Sequence, residues 1–288
     1  MPSKIASISL SCYYPSMTQS NIVKISFCFP KLVPKDKTAL IYAIVRSIRH
    51  DKKIGYAGYP EKEKLQTQIS YRFNDDNVKE YKQLTPKDKE KIEKVIRLTV
   101  EKCNERLPLS APPLSVFVFP WLGVQYNKAF GGVTGFTPGM NTIYIFISLE
   151  KFSSRSLKET VTHELNHAVF FCYHKSDQTL LDIMVFEGLA ENFREEVVGG
   201  QSSAWSEALS EKESRLALFS LSNSLRSRSY RLYREVFFGG KDYERWTGYS
   251  IGYRIIKSFR KTFPNKSWDE IMRMKQKTIF EMSSFIKK

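Results

Sequence analysis

The segment Thr160-Val-Thr-His163-Glu164-Leu-Asn-His167 constrains this chain more than any other, together with Glu187-Gly-Leu-Ala-Glu191, which begins twenty positions past the second histidine. On a helix, residues four apart share a face about one turn apart, so His163 and His167 can offer both imidazoles to one ion. A third ligand from Glu187 requires a second helix lying against the first. Three protein ligands leave a fourth position open for water, as catalytic zinc requires. Glu164 lies beside the pair, where a carboxylate can take a proton from water held by the metal.

The bland alternative is a charged helix face with two surface histidines. The five-residue pattern by itself arises by chance in about one protein in a hundred of this length. Two of the chain's four histidines fall in it, however, and both the pattern and the downstream Glu-x-x-x-Glu sit in plausible helices. The choice of third ligand narrows by elimination. Phe170 and Tyr173 stand where metzincins carry glycine and histidine. His174 follows on the same rigid helix and cannot bend back, so it reads as a solvated or C-terminal capping residue. Glu187 remains as the ligand by spacing. Glu191, one turn on, can accept the outer N–H of a ligating imidazole and fix its tautomer.

These two segments resemble the gluzincins, the thermolysin-like zinc peptidases. Within that group they resemble a bacterial family of predicted Zn-dependent proteases long treated as a domain of unknown function. In that family a Gly-Tyr-x-x-Gly-Tyr segment comes later, and here Gly248-Tyr-Ser-Ile-Gly252-Tyr253 stands in that place. The resemblance covers about residues 84–263. It implies zinc as cofactor and a peptide or protein as substrate, with a tyrosine from the C-terminal lobe donating to the oxyanion. Tyr253 is the preferred candidate and Tyr249 the second, and either could instead pack in the core. It also implies that the edge strand of a Gly-rich hairpin accepts the substrate backbone, which makes Gly132, Gly135 and Phe136 candidate substrate-binding residues. No aminopeptidase-type motif is apparent, which favours endopeptidase action.

Composition fits a globular chain: of 288 residues, 42% are hydrophobic and 14% aromatic. No apolar run reaches membrane-span length, and the first ten residues lack the apolar stretch of a signal peptide. Cysteines 12, 28, 103 and 172 show no paired spacing and read as reduced packing residues of a cytoplasmic chain. Cys172 lies off the ligand face. The formal charge is +15, with 18 Lys+Arg against 9 Asp+Glu after residue 200. No nucleic-acid motif accompanies it, so Arg226, Arg228, Arg231 and Arg234 read as a solvated helix face. Residues 150–200, by contrast, hold nine acids against five bases, as befits a cation site. Two other classes remain open. One is a non-proteolytic zinc-binding protein, which would need a fourth ligand; the other is a basic nucleic-acid-binding protein.

The pattern predicts an α+β fold: a small mixed sheet packed on the HExxH helix, then a helical C-terminal lobe. The expected divisions are an N-terminal region over 1–83, an α+β unit over 84–200 and a helical unit over 201–288. Strands are expected at Ile22–Phe29, Leu114–Phe119 and Thr142–Ser148, the last completing a hairpin with the Gly-rich stretch from Gly131. Helices are expected over 37–49 and from Thr85-Pro86 to about 107, the latter with Thr85 as cap. The HExxH helix should start at a Ser156/Glu159 capping box, and Asp177 should cap the next, which runs to about 198. Gly188 costs that helix about 1 kcal/mol but would let the two ligand helices approach. Beyond 201, helices are expected over 203–223, 226–237, 248–262 and, capped by Ser267 with Glu270, 268–284.

Overall fold

The computed structural model describes residues 22–31, 36–47, 66–67, 69–70, 81–109, 113–121, 130–174 and 178–286. The first ten residues, Cys12, most of 51–83 and Asp177 lie outside them. The fold is mixed α+β. Strands β1 (Val23–Phe27), β2 (Leu114–Pro120), β3 (Val133–Gly139) and β4 (Thr142–Ile147) form one sheet in the order β1-β2-β4-β3. β1 and β4 each run parallel to β2, while β3 turns back antiparallel to β4 as a hairpin. Among the described residues, β3 stands at one end of the sheet order.

Both central strands are apolar at nearly every position, which suits a sheet covered on both faces. Alternation divides their side chains by shape. Val116, Val118, Ile143 and Ile145 join one core with Ile92 and Ile96 of α2 (Pro86–Asn104) and with Leu157, Val161 and Leu165 of α3 (Ser154–Tyr173). Phe117, Phe119, Tyr144 and Phe146 point the other way, onto Leu40, Ile41 and Ile44 of α1 (Lys37–Ser47). Residues before 84 thus add a strand to the sheet and a helix to its far face.

Helix starts follow side-chain capping. Thr85 caps α2 with Asp88 as reciprocal partner, and Pro86 occupies the first turn. α3 begins three residues before the expected box: Ser153 is the cap and accepts the Ser156 N–H at 3.0 Å. Glu159 lies inside the helix, bonded to Arg155. α4 (Leu180–Val198) is capped by Thr179 with Asp182, a box that the sequence reading passed over. The C-terminal lobe comprises α5 (Glu211–Ser220), α6 (Tyr230–Phe238), α7 (Thr247–Thr262), α8 (Trp268–Arg273) and α9 (Gln276–Met282). Three expected helices are shorter than their patterns, and α6, expected from 226, begins only at Tyr230. Residues 201–209 form turns, and an extended Met274 splits 268–284 in two. Ser267 with Glu270 caps α8 as expected.

α4 packs most extensively on α7. A Cβ on Gly188 would lie 2.1 Å from the Gly252 carbonyl oxygen, and one on Gly252 would lie 1.9 Å from the Met184 oxygen. Gly188 therefore brings α4 against α7, not against α3 as expected from its place between ligand segments. Among the described residues, no helix is long and apolar enough to cross a membrane.

Candidate metal site

α3 and α4 cross so that His163, His167 and Glu187 point at one place. His163 Nε2 lies 3.3 Å from Glu187 Oε2 and His167 Nε2 lies 3.5 Å from it. One donor atom from each residue falls within 4.8 Å of the other two. Zinc bonds of ~2.0–2.1 Å at tetrahedral angles separate ligand atoms by about 3.3 Å, so this donor set fits zinc in both chemistry and spacing.

The electrostatics favour a cation. Burial, the largest influence, pushes the Glu187 carboxyl up, but the charge of His167 and hydrogen bonds to His163 and His167 outweigh it and hold it at about 2. Glu191 is held at about 2 in the same way: burial again works upward, and His163, Arg194 and Ser203 overcome it. Burial pushes His163 down, yet the hydrogen bonds it donates to Glu187 and Glu191 carry it well above its ordinary value. Glu187 therefore faces the donor locus as an ionised carboxylate, while Glu191 backs His163 from the opposite side of its ring.

The two histidines are oriented by different means. His163 Nδ1 is 2.8 Å from Glu191 Oε1. His167 Nδ1 is buried without a hydrogen-bond partner among the described residues, and its ring instead stacks on Phe186 with centroids 3.7 Å apart and planes 14° from parallel. Glu164 stands beside the donors, 7% exposed. The Thr137 hydroxyl of β3 lies 2.7 Å from its Oε2 and 2.9 Å from its backbone oxygen. A Cβ on Gly135 would come within 2.3 Å of Glu164 Cγ, so β3 passes this carboxylate only because position 135 is glycine.

A cavity of about 1070 Å³ opens over these groups. Residues 133–137 of β3 form one wall, Gly135 and Phe136 among them. Gly132 does not line it: at φ +79° it is closed against the backbone of Lys151 and Phe152. Tyr249 lines the cavity and stacks edge-on against Phe237 at 5.0 Å. Burial raises its phenol well above the ordinary value, so it stays a donor. Tyr253 is not in the cavity wall; its hydroxyl meets Glu195 at 2.5 Å, Lys257 at 2.6 Å and Ser202 at 2.8 Å. His174 ends α3 with Nε2 2.7 Å from the Met272 oxygen, away from the donors.

Sequence reading missed Thr137, Phe186, Trp205, Tyr233 and Trp246, all in the cavity wall. Their approach is set by tertiary packing, with no local pattern to announce it. Trp246 carries φ 71°, a costly backbone state for a bulky residue, and caps α7 three residues before Tyr249.

The family described as Predicted Zn-dependent protease (DUF2268) matches residues 92–281, more than half of the chain. The chain belongs to this family. The matched span of the Zn-dependent protease family holds all three donors, Glu164, Glu191, β3 and both tyrosines, and begins inside α2, so β1 and α1 precede it. Among curated proteins the chain is similar to one from Bacillus subtilis (strain 168) named Uncharacterized protein YjfC. The two are 24% identical over 144 residues, covering 45% of this chain and 46% of the relative, so the match spans about half the length of that protein. No solved structure matches the chain.

Proposed function

We propose that the protein is a zinc-dependent endopeptidase of the gluzincin type, with the ion held by His163, His167 and Glu187. The observation that carries this reading is the convergence of those three donors beside Glu164, at the floor of a cavity walled on one side by β3. A structural zinc site closes with a fourth protein ligand. Among the described residues the donor group stops at three, which favours catalysis.

Zinc bound there would supply Lewis acidity, bringing water toward ionisation near neutral pH and polarising the scissile carbonyl. Glu164 takes the proton from the attacking water and passes it to the leaving amine. Thr137 holds the Glu164 carboxylate through its hydroxyl, and Gly135 leaves it the space to stand there. The extended substrate backbone runs along β3 in the cavity wall, which directs the scissile bond toward the donors. Tyr249 donates to the oxyanion; its place in the cavity wall supports it over Tyr253, whose hydroxyl is engaged elsewhere.

Stripping the protein with a chelator and titrating zinc back tests the reading. Peptide hydrolysis should vanish on stripping and return in full at about one zinc per chain. Zinc uptake without hydrolysis of any casein or peptide library would leave a zinc-binding protein that is not a peptidase.

A further inference from the structure

Glu191 is fully buried, and four donors converge on its carboxylate. Oε1 takes the His163 Nδ1 contact. Oε2 accepts from Ser203 Oγ at 2.5 Å, Ser206 Oγ at 3.1 Å and Arg194 Nε at 3.2 Å. An ionised carboxylate offers about four acceptor sites, so these partners nearly saturate it. Arg194 sits three residues along α4, but the two serines come from the turns that follow that helix. We infer that Ser203 and Ser206 are positioning residues of the metal site: they lock the Glu191 carboxylate, which in turn locks His163 for ligation. The inference rests on the zinc reading above.

The need for such a lock follows from the side chains. α4 fixes the Cα of Glu191, yet three torsions separate that atom from the carboxylate. With Oε2 pinned from a second segment, Oε1 has one place to be, and His163 must present Nδ1–H to it and keep Nε2 for the ion. Among the described residues no hydrogen bond performs this service for His167 Nδ1. The hydrogen-bonded precision of the donor set therefore runs through one chain of contacts, from residues 203 and 206 to Glu191 to His163.

The segment is itself tied down. The Ser206 N–H bonds to the Ser203 carbonyl at 3.0 Å, and both Nη atoms of Arg194 reach the Gln201 carbonyl at 3.5 Å. Ser202 is an internal control, because it lies in the same turn but its hydroxyl meets Tyr253 and not Glu191.

Zinc affinity, measured by competition with a chromogenic chelator, tests the inference on Ser203→Ala, Ser206→Ala, the double variant, Ser202→Ala and Ser203→Thr. Apo-protein melting shows that each is folded. Loss of an outer partner of a ligand weakens metal binding by roughly 10–100-fold. The double variant should lose about tenfold or more, and the absorption bands of its cobalt(II) form should shift as the His163 geometry relaxes. Ser202→Ala should match the wild type, and Ser203→Thr, which keeps the hydroxyl, should restore most of the affinity lost in Ser203→Ala. Wild-type affinity and an unshifted cobalt spectrum in the double variant would overturn the inference and leave the zinc reading standing. Equal loss in Ser202→Ala would overturn it too, by making the segment mere scaffolding. A wild type that takes up no zinc removes the reading and the inference together.

Discussion

Gly135 and Glu164 compete for one volume, and only the absence of a side chain on Gly135 resolves it. Gly135→Ala should push the Glu164 carboxylate off Thr137 while leaving the three donors in place. Hydrolysis should fall by about 10²-fold or more, as general-base catalysis is lost, with zinc content unchanged; activity assay and elemental analysis on one preparation decide it. The pair Glu187 and Glu191 separates along a different axis. On the proposed roles, Glu187→Ala loses a metal ligand and should strip zinc on mild dialysis. Glu191→Ala should retain zinc with affinity lowered about 10–100-fold. Zinc retained by the first variant and lost by the second would exchange their roles. The spacing of the two glutamates is visible in the sequence. The contact of Gly135 with Glu164 is not, because it joins a strand edge to a helix through tertiary packing alone.

At the level of elements, the α4–α7 pair explains much that local pattern leaves open. The Gly-Tyr-x-x-Gly-Tyr segment reads along the chain as a possible source of a catalytic tyrosine. In the folded chain its glycines are points of backbone contact: Gly252 against Met184 and Gly188, and Gly248 against the Phe237 ring. Tyr249 and Tyr253, four apart, share a helix face, which is all that sequence periodicity can say. The one-turn offset along α7 then takes Tyr249 to the cavity and Tyr253 to Glu195, Ser202 and Lys257. A methyl on Gly252 has no flexible side chain to displace, only backbone. Gly252→Ala should therefore force the helices apart and cost about 1–3 kcal/mol, the usual penalty of overpacking. Denaturant unfolding reads this directly, and a variant as stable as the wild type would show that the helices can separate freely.

Across the whole molecule, the legible features are those with a local signature. The apolar runs of β2 and β4, the Gly-rich hairpin, the Thr85 and Ser267 caps and the paired ligand helices were all visible, and they suffice for the α+β class. The missed features depend on partners distant in sequence: α1 on the far face of the sheet, the turns of 201–209 bonded to Glu191, and the split of 268–284. Charge behaves likewise. Arg226, Arg228, Arg231 and Arg234 are exposed in the C-terminal lobe, whereas the acids of residues 150–200 include the buried cluster. The sheet, α3 and α4 act together to set one carboxylate beside three donors.

That central claim is tested most directly by zinc content and peptide hydrolysis measured on one preparation of Glu164→Gln. The proposed roles predict about one zinc per chain, as in the wild type, with hydrolysis lower by roughly 10²–10⁴-fold, the span of general acid–base catalysis. Loss of the metal in that variant, or hydrolysis at the wild-type rate, would contradict them.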